Sequence, residues 1–520
     1  MILKRYIKLD VVFLFFFSFL VHILIFFDIG NFPQIKCPYP SSDGDFYIFI
    51  SKFIDGNLDI VSKEPFYYSP LYAYLSNITL NIFNYNTFYL QIFNIMLGSL
   101  VPVFVYLTAK LFFKDSKIIF FVTFLSVFFD TFLLYDLTIL KTTTGILLIS
   151  SGIYFLSKFF FYKNKKDLVF SSIFLGLSSL IYANMLLFIA VVFLYLLIKN
   201  VRLSIYFLIP AFIVVLITLV RNYTVSKDFI PITAIGGIHF YIGNNFQSKG
   251  IYTHIPGIRP SGFGHYFDAK KIAERETGKK LKPSEVSNFW KEKTITGIKE
   301  HPEHFVKLLI KKLWYTFNYF DIPNNINKNY IKAKSKIYKN ISISYGIIAL
   351  LGLTGFILSL RKKEFFILNL FFIVYTFSIV LFFVNDRYRL PLAIPMFIYA
   401  GYTTYLFFKG DWKSKLKTGA LMTIVALLVF YKTDISRINY GTLSQRFEKM
   451  SEKLCYLNKK LSSAKTNKEK SIILTEIATV YLKTKSYEQA FYLAKEAFRL
   501  NKRNKVAFYL MKNAKRYIEK

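Results

Sequence analysis

Cysteine is nearly absent: Cys37 and Cys455 are the two in 520 residues, with no spacing motif that would mark a metal site or a disulfide framework. Histidine is scarce too, at six. The pair His301 and His304 in "HPEH" has a spacing that can ligate metal, but it reads first as a helix start with solvated polar residues. No Walker, dinucleotide-binding or nucleophile-elbow pattern stands in a credible context, so nothing in the chain points to nucleotide or serine-hydrolase chemistry. Acidic residues are outnumbered 31 to 67 by Lys and Arg, which leaves a formal net charge of +36.

What the chain has instead is apolar mass. Hydrophobic residues make up 54%, with 59 Phe, against roughly 45–50% in soluble domains. Lipid offers no partner for open backbone groups, so spans must be helical and about 20 residues long. Apolar stretches at 9–28, 87–113, 117–135, 138–161, 168–182, 184–199, 203–220, 342–360, 365–384, 388–408 and 416–431 predict an all-α polytopic membrane protein with about eleven transmembrane helices. The first stretch follows the basic "MILKRYIK" without a small-residue cleavage site and reads as an uncleaved anchor.

Basic short loops set the orientation. "MILKRYIK", "KLFFKDSK", "FYKNKKD", "KNVR", "RKKE" and "KGDWKSKLK" fall on alternate sides of successive spans and are expected in the cytoplasm. Residues 29–86, 135–137, 182–184, 221–341, 385–389 and the tail from 432 are then extracytoplasmic. Both cysteines lie on that outer side, where a disulfide is permitted. The tail holds 21 Lys and Arg against 8 Asp and Glu, which suits either anionic lipid headgroups or a solvated helical surface, and not nucleic acid.

Three soluble regions follow, two of them loops of a membrane domain spanning 1–431. Loop 29–86 carries "SSDGDFYIFI" and then "EPFYYSPLYAYL", whose tyrosines and prolines suit an interfacial segment. Loop 221–341 is too long to be structureless and shows helical stretches near 267–277, 284–300 and 302–319. The third region, 432–520, is a small α-helical domain. Over about 34 residues its "IATVYLKTKSYEQAFYLAKEAFRL" resembles a tetratricopeptide helix pair, with Ala478, Tyr481, Ala490 and Ala497 at the small and aromatic positions and Lys502 where proline is usual. Such repeats bind proteins or peptides and carry no chemistry themselves.

Charged residues collect at the outer boundary. Asp43 and Asp45 lie in the first outer loop, Asp136 and Lys141 at the outer end of the fourth span, Arg221 at the end of the seventh, and Asp386, Arg387 and Arg389 in a short outer turn. A transporter more often places its charges near the midplane. A lipid-linked sugar phosphate would use both signs: cations for the phosphate charge and a carboxylate for the proton of an attacking hydroxyl. Each residue also has a bland reading, since outer-end cations snorkel to headgroups and Asp136 can cap a helix. His254 and His265, in a glycine-containing loop, are candidate acceptor-side groups, whereas His22 reads as a satisfied residue within the first span. "NIT" at 77–79 and "NYT" at 222–224 match the glycosylation acceptor pattern.

"SDGDFY", "PFYYSPLYAYL", "LTILKTTTGILL", "RNYTVSKDFIPITAIGGIHFYIGNN", "HPEHFVKLLIKKLWYTF" and "NDRYRLPLAIPMFIYAGY" occur in order over about residues 1–410. In this combination the chain resembles bacterial membrane glycosyltransferases of the GT-C class, the protein O-mannosyltransferase and aminoarabinose-transferase group. The resemblance implies inverting transfer from a polyprenyl-phosphate-linked sugar with a first-loop aspartate as general base. Spacing to Tyr47 and Gly56 gives that position to Asp43, and Asp45 is additional. Lys141, Arg221, Arg387 and Arg389 match basic positions implied to contact the donor phosphate. Tyr47, Glu64, Tyr68, Tyr72, Asp136, Asn244 and Asn245 are the implied substrate-lining residues. Where relatives often have Arg-Pro after the fifth span, this chain has Tyr182, Ala183 and Asn184.

No cofactor follows with certainty; a divalent metal ion held by Asp43 and Asp45 is left open, although two carboxylates are too few to specify one. The implied setting is the bacterial inner membrane, with the active face and C-terminus extracytoplasmic. The implied partners are the polyprenyl-phosphate sugar, membrane lipids, an acceptor lipid, glycan or protein, and a protein at the C-terminal repeat. Two rival functions remain: a polymerase or ligase acting on lipid-linked oligosaccharides, and a lipid or polysaccharide transporter with a docking tail.

Overall fold

The computed structural model describes residues 2–52, 54, 62–434 and 440–519; Gly56, used above to align the first-loop aspartate, lies outside them. Among the described residues every regular element is helical. The apolar stretches are largely helical, but not all of them are single helices long enough to span. Among the described residues six helices are long and apolar enough to cross a membrane: Leu9–Ile29, Thr87–Phe112, Thr142–Tyr162, Val201–Ser226, Lys363–Val380 and Asp386–Lys409. Ser116–Val127, Met185–Lys199 and Tyr345–Ser359 are apolar but shorter. Lys165–Ser179 opens on Lys165 and Lys166, and Trp412–Phe430 carries Lys413, Lys415 and Lys417 in its first turns. The stretch 117–135 is broken after Val127, where the Asp130 amide donates to the Ile343 carbonyl at 2.9 Å and the Ile343 amide to Phe128 at 2.7 Å. These features support a polytopic α-helical membrane protein.

The bundle has an apolar exterior. Leu9, Phe13, Phe16, Leu20 and Phe27 on the first helix are more than half exposed, as are Ile209, Phe212, Ile213, Ile217 and Val220 on Val201–Ser226. Side chains of this kind need a lipid solvent. The connecting segments gather in two groups. At one end segments expected inside meet: Lys409 Nζ lies 3.8 Å from Asp115, and Phe112 packs on Phe365. At the other end the segments expected outside converge.

There the 221–341 region forms a lobe. Helices Ala269–Thr277, Pro283–Glu300 and Pro302–Phe317 occupy the three stretches expected to be helical. With Gly236–Asn244 they enclose Ile238, Ile242, Ala273 and Trp290. The glycines of the "GGIHFYIGNN" segment make this packing possible: a Cβ at Gly237 would sit 1.9 Å from the Ser287 carbonyl oxygen, and one at Gly243 2.1 Å from that of Phe382. The "HPEH" histidines pack against Phe246, with centroids 5.0 and 5.1 Å away.

The tail folds into four helices, Tyr440–Ser463, Asn467–Lys483, Tyr487–Leu500 and Lys505–Glu519. Ala478, Ala490, Ala494 and Ala497 are fully or nearly fully buried, which lets the middle pair approach closely. This domain is clamped to the membrane part. Cys37 and Cys455 are joined in a disulfide, Cα atoms 5.6 Å apart and 418 residues apart in sequence. Tyr39 stacks on Phe447 at 4.0 Å. Arg259 bridges Asp268 of the lobe, at 2.7 Å, and Glu488 of the tail, also at 2.7 Å. Glu448 accepts from the Tyr330 hydroxyl at 2.5 Å and from Lys334 at 2.8 Å.

A crosslink over so long a loop contributes about 2–4 kcal/mol, mainly by restricting the unfolded chain. Cys37→Ser is therefore expected to lower thermal stability and to make the tail helices easier to proteolyse. Identical melting and digestion of the variant and the wild type under non-reducing conditions would remove the clamp from this account.

Candidate active site

The stretch "SSDGDFYIFI" is the start of a helix, Asp43–Ser51, with Ser42 as its N-cap accepting from the Asp45 amide at 3.3 Å. Gly44 lets this helix lie directly on the fourth-span connection, since a Cβ there would meet the Ile139 carbonyl oxygen at 2.9 Å. Two residues along a helix correspond to a rotation of about 200°, so the two aspartates face nearly opposite ways. Asp43 opens into a cavity of about 850 Å³; Asp45 does not line it.

Asp43 is held on three sides. Its Oδ2 lies 2.8 Å from Arg387 Nη1. The Asn325 amide donates to the same oxygen at 3.2 Å, while Asn325 Oδ1 accepts from the Asp43 backbone amide at 2.8 Å. Asn325 also donates to Asn324, whose oxygen accepts from Arg387 Nη2. Asn325 takes up this position at φ 65°, the left-handed region that asparagine tolerates better than most residues. Burial pushes the Asp43 carboxyl up, but the Arg387 guanidinium, with Lys141 behind it, holds it below the ordinary carboxylate range. Asp43 is still 40% exposed, toward the cavity, whereas Arg387 is 4% exposed.

Lys141 also lines the cavity, donating to Ser69 Oγ at 2.7 Å and the Ile181 carbonyl at 3.0 Å, beside the ring of Tyr182. Tyr47 and Tyr68 also line the cavity. His239 and His265 line the same cavity, ring centroids 5.3 Å apart, with Tyr252 Oη 2.9 Å from His265 Nε2. Burial lowers His239 to about 3 and His265 to about 4, so both rings are neutral near pH 7. His254 lines the same cavity.

The remaining candidates are placed elsewhere. Asp45 is buried and accepts from the Tyr481 hydroxyl and, at 2.7 Å, from Gln489 Nε2; burial raises its carboxyl to about 7. It docks the tail, and a metal ion shared with Asp43 does not fit this divergence. Arg221 donates to the Glu64 carbonyl at 2.6 Å and packs on Phe66 at 4.2 Å. Beside it, Asn222 accepts from the Phe66 amide and donates to the Ile230 and Ile232 carbonyls. The "RN" of the seventh span thus braces the segment that carries Tyr68. Glu64 itself accepts from the Tyr266 hydroxyl at 2.5 Å.

Arg389 is 1% exposed and donates to the Asn318 and Phe320 carbonyls and to Asp386 at 2.9 Å. Asp321 joins it to Lys328, which also pairs with Asp130 at 2.8 Å. This buried network fixes the turn that presents Arg387. Asp136 is bound by His22 at 3.0 Å and Thr143 at 2.7 Å. Tyr72 accepts from Asn94. Asn244 donates to the Leu381 carbonyl at 2.7 Å and accepts from buried Lys312 at 2.6 Å, and Asn245 caps its helix. Both glycosylation-pattern asparagines, Asn77 and Asn222, are buried and hydrogen-bonded. Sequence reasoning missed Asn324 and Asn325, whose only trace is a polar pair after Pro323, and His239, which stood unmarked in the "GGIHFY" segment.

Residues 63–224 match the model of the dolichyl-phosphate-mannose-protein mannosyltransferase family. This match, which includes Tyr68, Lys141 and Arg221, supports the GT-C glycosyltransferase class. No curated protein matches the chain. Among solved structures, the crystal structure of the Archaeoglobus fulgidus oligosaccharyltransferase in complex with Zn and sulfate aligns with 13% identity and a TM-score of 0.40. The alignment covers 84% of this chain and 56% of that one, so the chain spans about half that protein's length.

Two arginines two residues apart should fail differently. Arg389→Gln strands buried carboxylates and is expected to cost about 3–5 kcal/mol of stability. Arg387→Gln costs less, because Asp43 opens to the cavity. Its signature is instead in pH dependence. The Asp43–Arg387 contribution is present above the ordinary carboxylate pKa and lost as pH falls through the lowered folded value. Without the guanidinium, burial dominates, the Asp43 carboxyl rises, and the acid limb of any Asp43-dependent rate moves to higher pH. An unmoved limb contradicts the pairing.

Proposed function

We propose that this chain transfers a sugar from a polyprenyl-phosphate carrier to a hydroxyl of an acceptor at the outer face of a bacterial inner membrane, with inversion and with Asp43 as general base. The observation that supports it most is the Asp43 carboxylate opening into the cavity against Arg387, with Lys141 lining the same cavity. The acceptor oxygen bonds to the anomeric carbon as the carbon–phosphate oxygen bond breaks. The electron pair leaves with the phosphate and the hydroxyl proton goes to Asp43. Arg387 and Lys141 stabilise the charge growing on the leaving phosphate.

The ion pair links the two halves of this reaction. Asp43 in the resting site is too well stabilised as an anion to be a strong base. A phosphate that takes Arg387 as its partner removes the main group lowering the carboxyl, and burial then raises its basicity toward the range where general bases work best. Donor binding thereby activates the base. The neutral rings of His239 and His265 and the hydroxyl of Tyr252 supply hydrogen-bonding groups for sugar hydroxyls without adding charge. Arg221 and Arg389 act in this reading as braces for the site. No step runs through a metal, because Asp45 is engaged by the tail. The tail, whose residues line the cavity, closes its acceptor side in this reading.

Labelled polyprenyl-phosphate sugars in membranes test the proposal. Asp43→Asn is expected to lose transfer by about 10²–10⁴-fold while still folding, with a melting temperature lowered by the loss of the Arg387 ion pair. Full activity in that variant removes the base. Product size in the same assay separates single-sugar transfer from the polymerase or ligase alternative, and sugar-lipid movement without a new glycosidic bond would favour the transporter.

A further inference from the structure

Part of the cavity wall is made by the tail. Helix Tyr440–Ser463 contributes Ser444, Arg446, Phe447 and Met450, and the turn between Asn467–Lys483 and Tyr487–Leu500 contributes Lys483, Thr484 and Lys485. The turn is seated beside the candidate base. Ser486 Oγ lies 2.5 Å from Ser41 Oγ, two residues before Asp43. Arg259 donates to the Lys485 carbonyl at 3.3 Å while gripping Glu488. Lys485 adopts a left-handed φ of 62°, so the backbone accepts an unfavourable conformation for a side chain at this position.

Charge is distributed unevenly around the cavity. Among the described lining residues Asp43 is the single carboxylate, against Lys141, Arg259, Arg387, Arg446, Lys483 and Lys485. Arg259 is matched by Asp268 and Glu488. Lys141 and Arg387 belong to the donor end. Arg446, Lys483 and Lys485 are exposed, at the tail end, and the carboxylates docking the tail, Asp45 and Glu488, do not line the cavity. Three exposed cations lining the tail side of one cavity raise the local concentration of anions there.

We propose that the tail forms an acceptor subsite for a molecule bearing a phosphate or carboxylate group, held by Arg446, Lys483 and Lys485 while its hydroxyl is presented to Asp43. The inference rests on the transferase reading, in which the donor phosphate is held by Arg387 and Lys141, so that a second anionic group belongs to the acceptor. Charge-assisted contacts of this kind set selection between charged and neutral acceptors.

The test uses the full-length protein in phosphatidylcholine nanodiscs at low salt, titrated with mannose 6-phosphate and with mannose. The phosphorylated sugar is expected to bind at least tenfold more tightly, and the combined Arg446→Ala, Lys483→Ala and Lys485→Ala variant to lose that preference. Equal binding of the two sugars by the wild type, or a preference undiminished in the variant, overturns the subsite. A parallel titration in discs containing phosphatidylglycerol identifies the source of the anion: competition assigns the site to lipid headgroups and its absence to soluble glycans, each outcome keeping the subsite. Short-chain polyprenyl-phosphate mannose is titrated separately to read the donor end. If it fails to bind while the phosphate preference still depends on the tail cations, the donor reading falls and the anion subsite stands.

Discussion

The ion pair between Asp43 and Arg387 joins parts of the chain more than 300 residues apart, and the outer half of the molecule is arranged around it. Asp43 comes from a short helix whose capping serine and packing glycine fix its register. Arg387 comes from a turn held by the buried Arg389, Asp386, Asp321 and Lys328 network. Asn324 and Asn325 lie between them and touch both. A charged pair facing a cavity is poorly compensated unless its surroundings are rigid. This explains why so many polar residues near the site contact protein and not open space.

The sequence motifs divide accordingly. Apolar run length and loop charge were enough to place the helices and to separate the two ends of the bundle, because lipid burial acts on every residue of a span. Loop charge also grouped the outer loops with the tail. The roles of individual cations were not legible. Arg387 and Arg389 stand in one tripeptide, yet one faces the cavity and the other is buried against carbonyls. Arg221 looks the same in sequence as a phosphate ligand and as a brace for residues 62–66. The two aspartates were read as a loop pair; helical rotation, which depends on Ser42 capping the next turn, sends them to different partners. Asn325 was invisible because its contacts are long-range.

Asp45 illustrates how a second carboxylate beside a candidate base can have an unrelated task. It fastens the tail through Tyr481 and Gln489, and the disulfide, the Tyr39–Phe447 stack and the Arg259–Glu488 pair add to that fastening. Tyr481 occupies a repeat-type aromatic position, and its hydroxyl donates to Asp45 on the helix that also carries Asp43. The helical tail is therefore a wall of the cavity. A contact set this varied, covalent, stacked and charged, favours a fixed orientation over a loosely tethered one.

The central claim is that donor phosphate and Asp43 compete for Arg387. A cryo-electron microscopy structure with a non-hydrolysable polyprenyl-phosphonate sugar tests it most directly. The account predicts the phosphonate within hydrogen-bond distance of Arg387 and Lys141, with the Asp43 carboxylate released from the guanidinium and turned toward the anomeric carbon. A phosphonate bound elsewhere, with the Asp43–Arg387 pair intact, would contradict it.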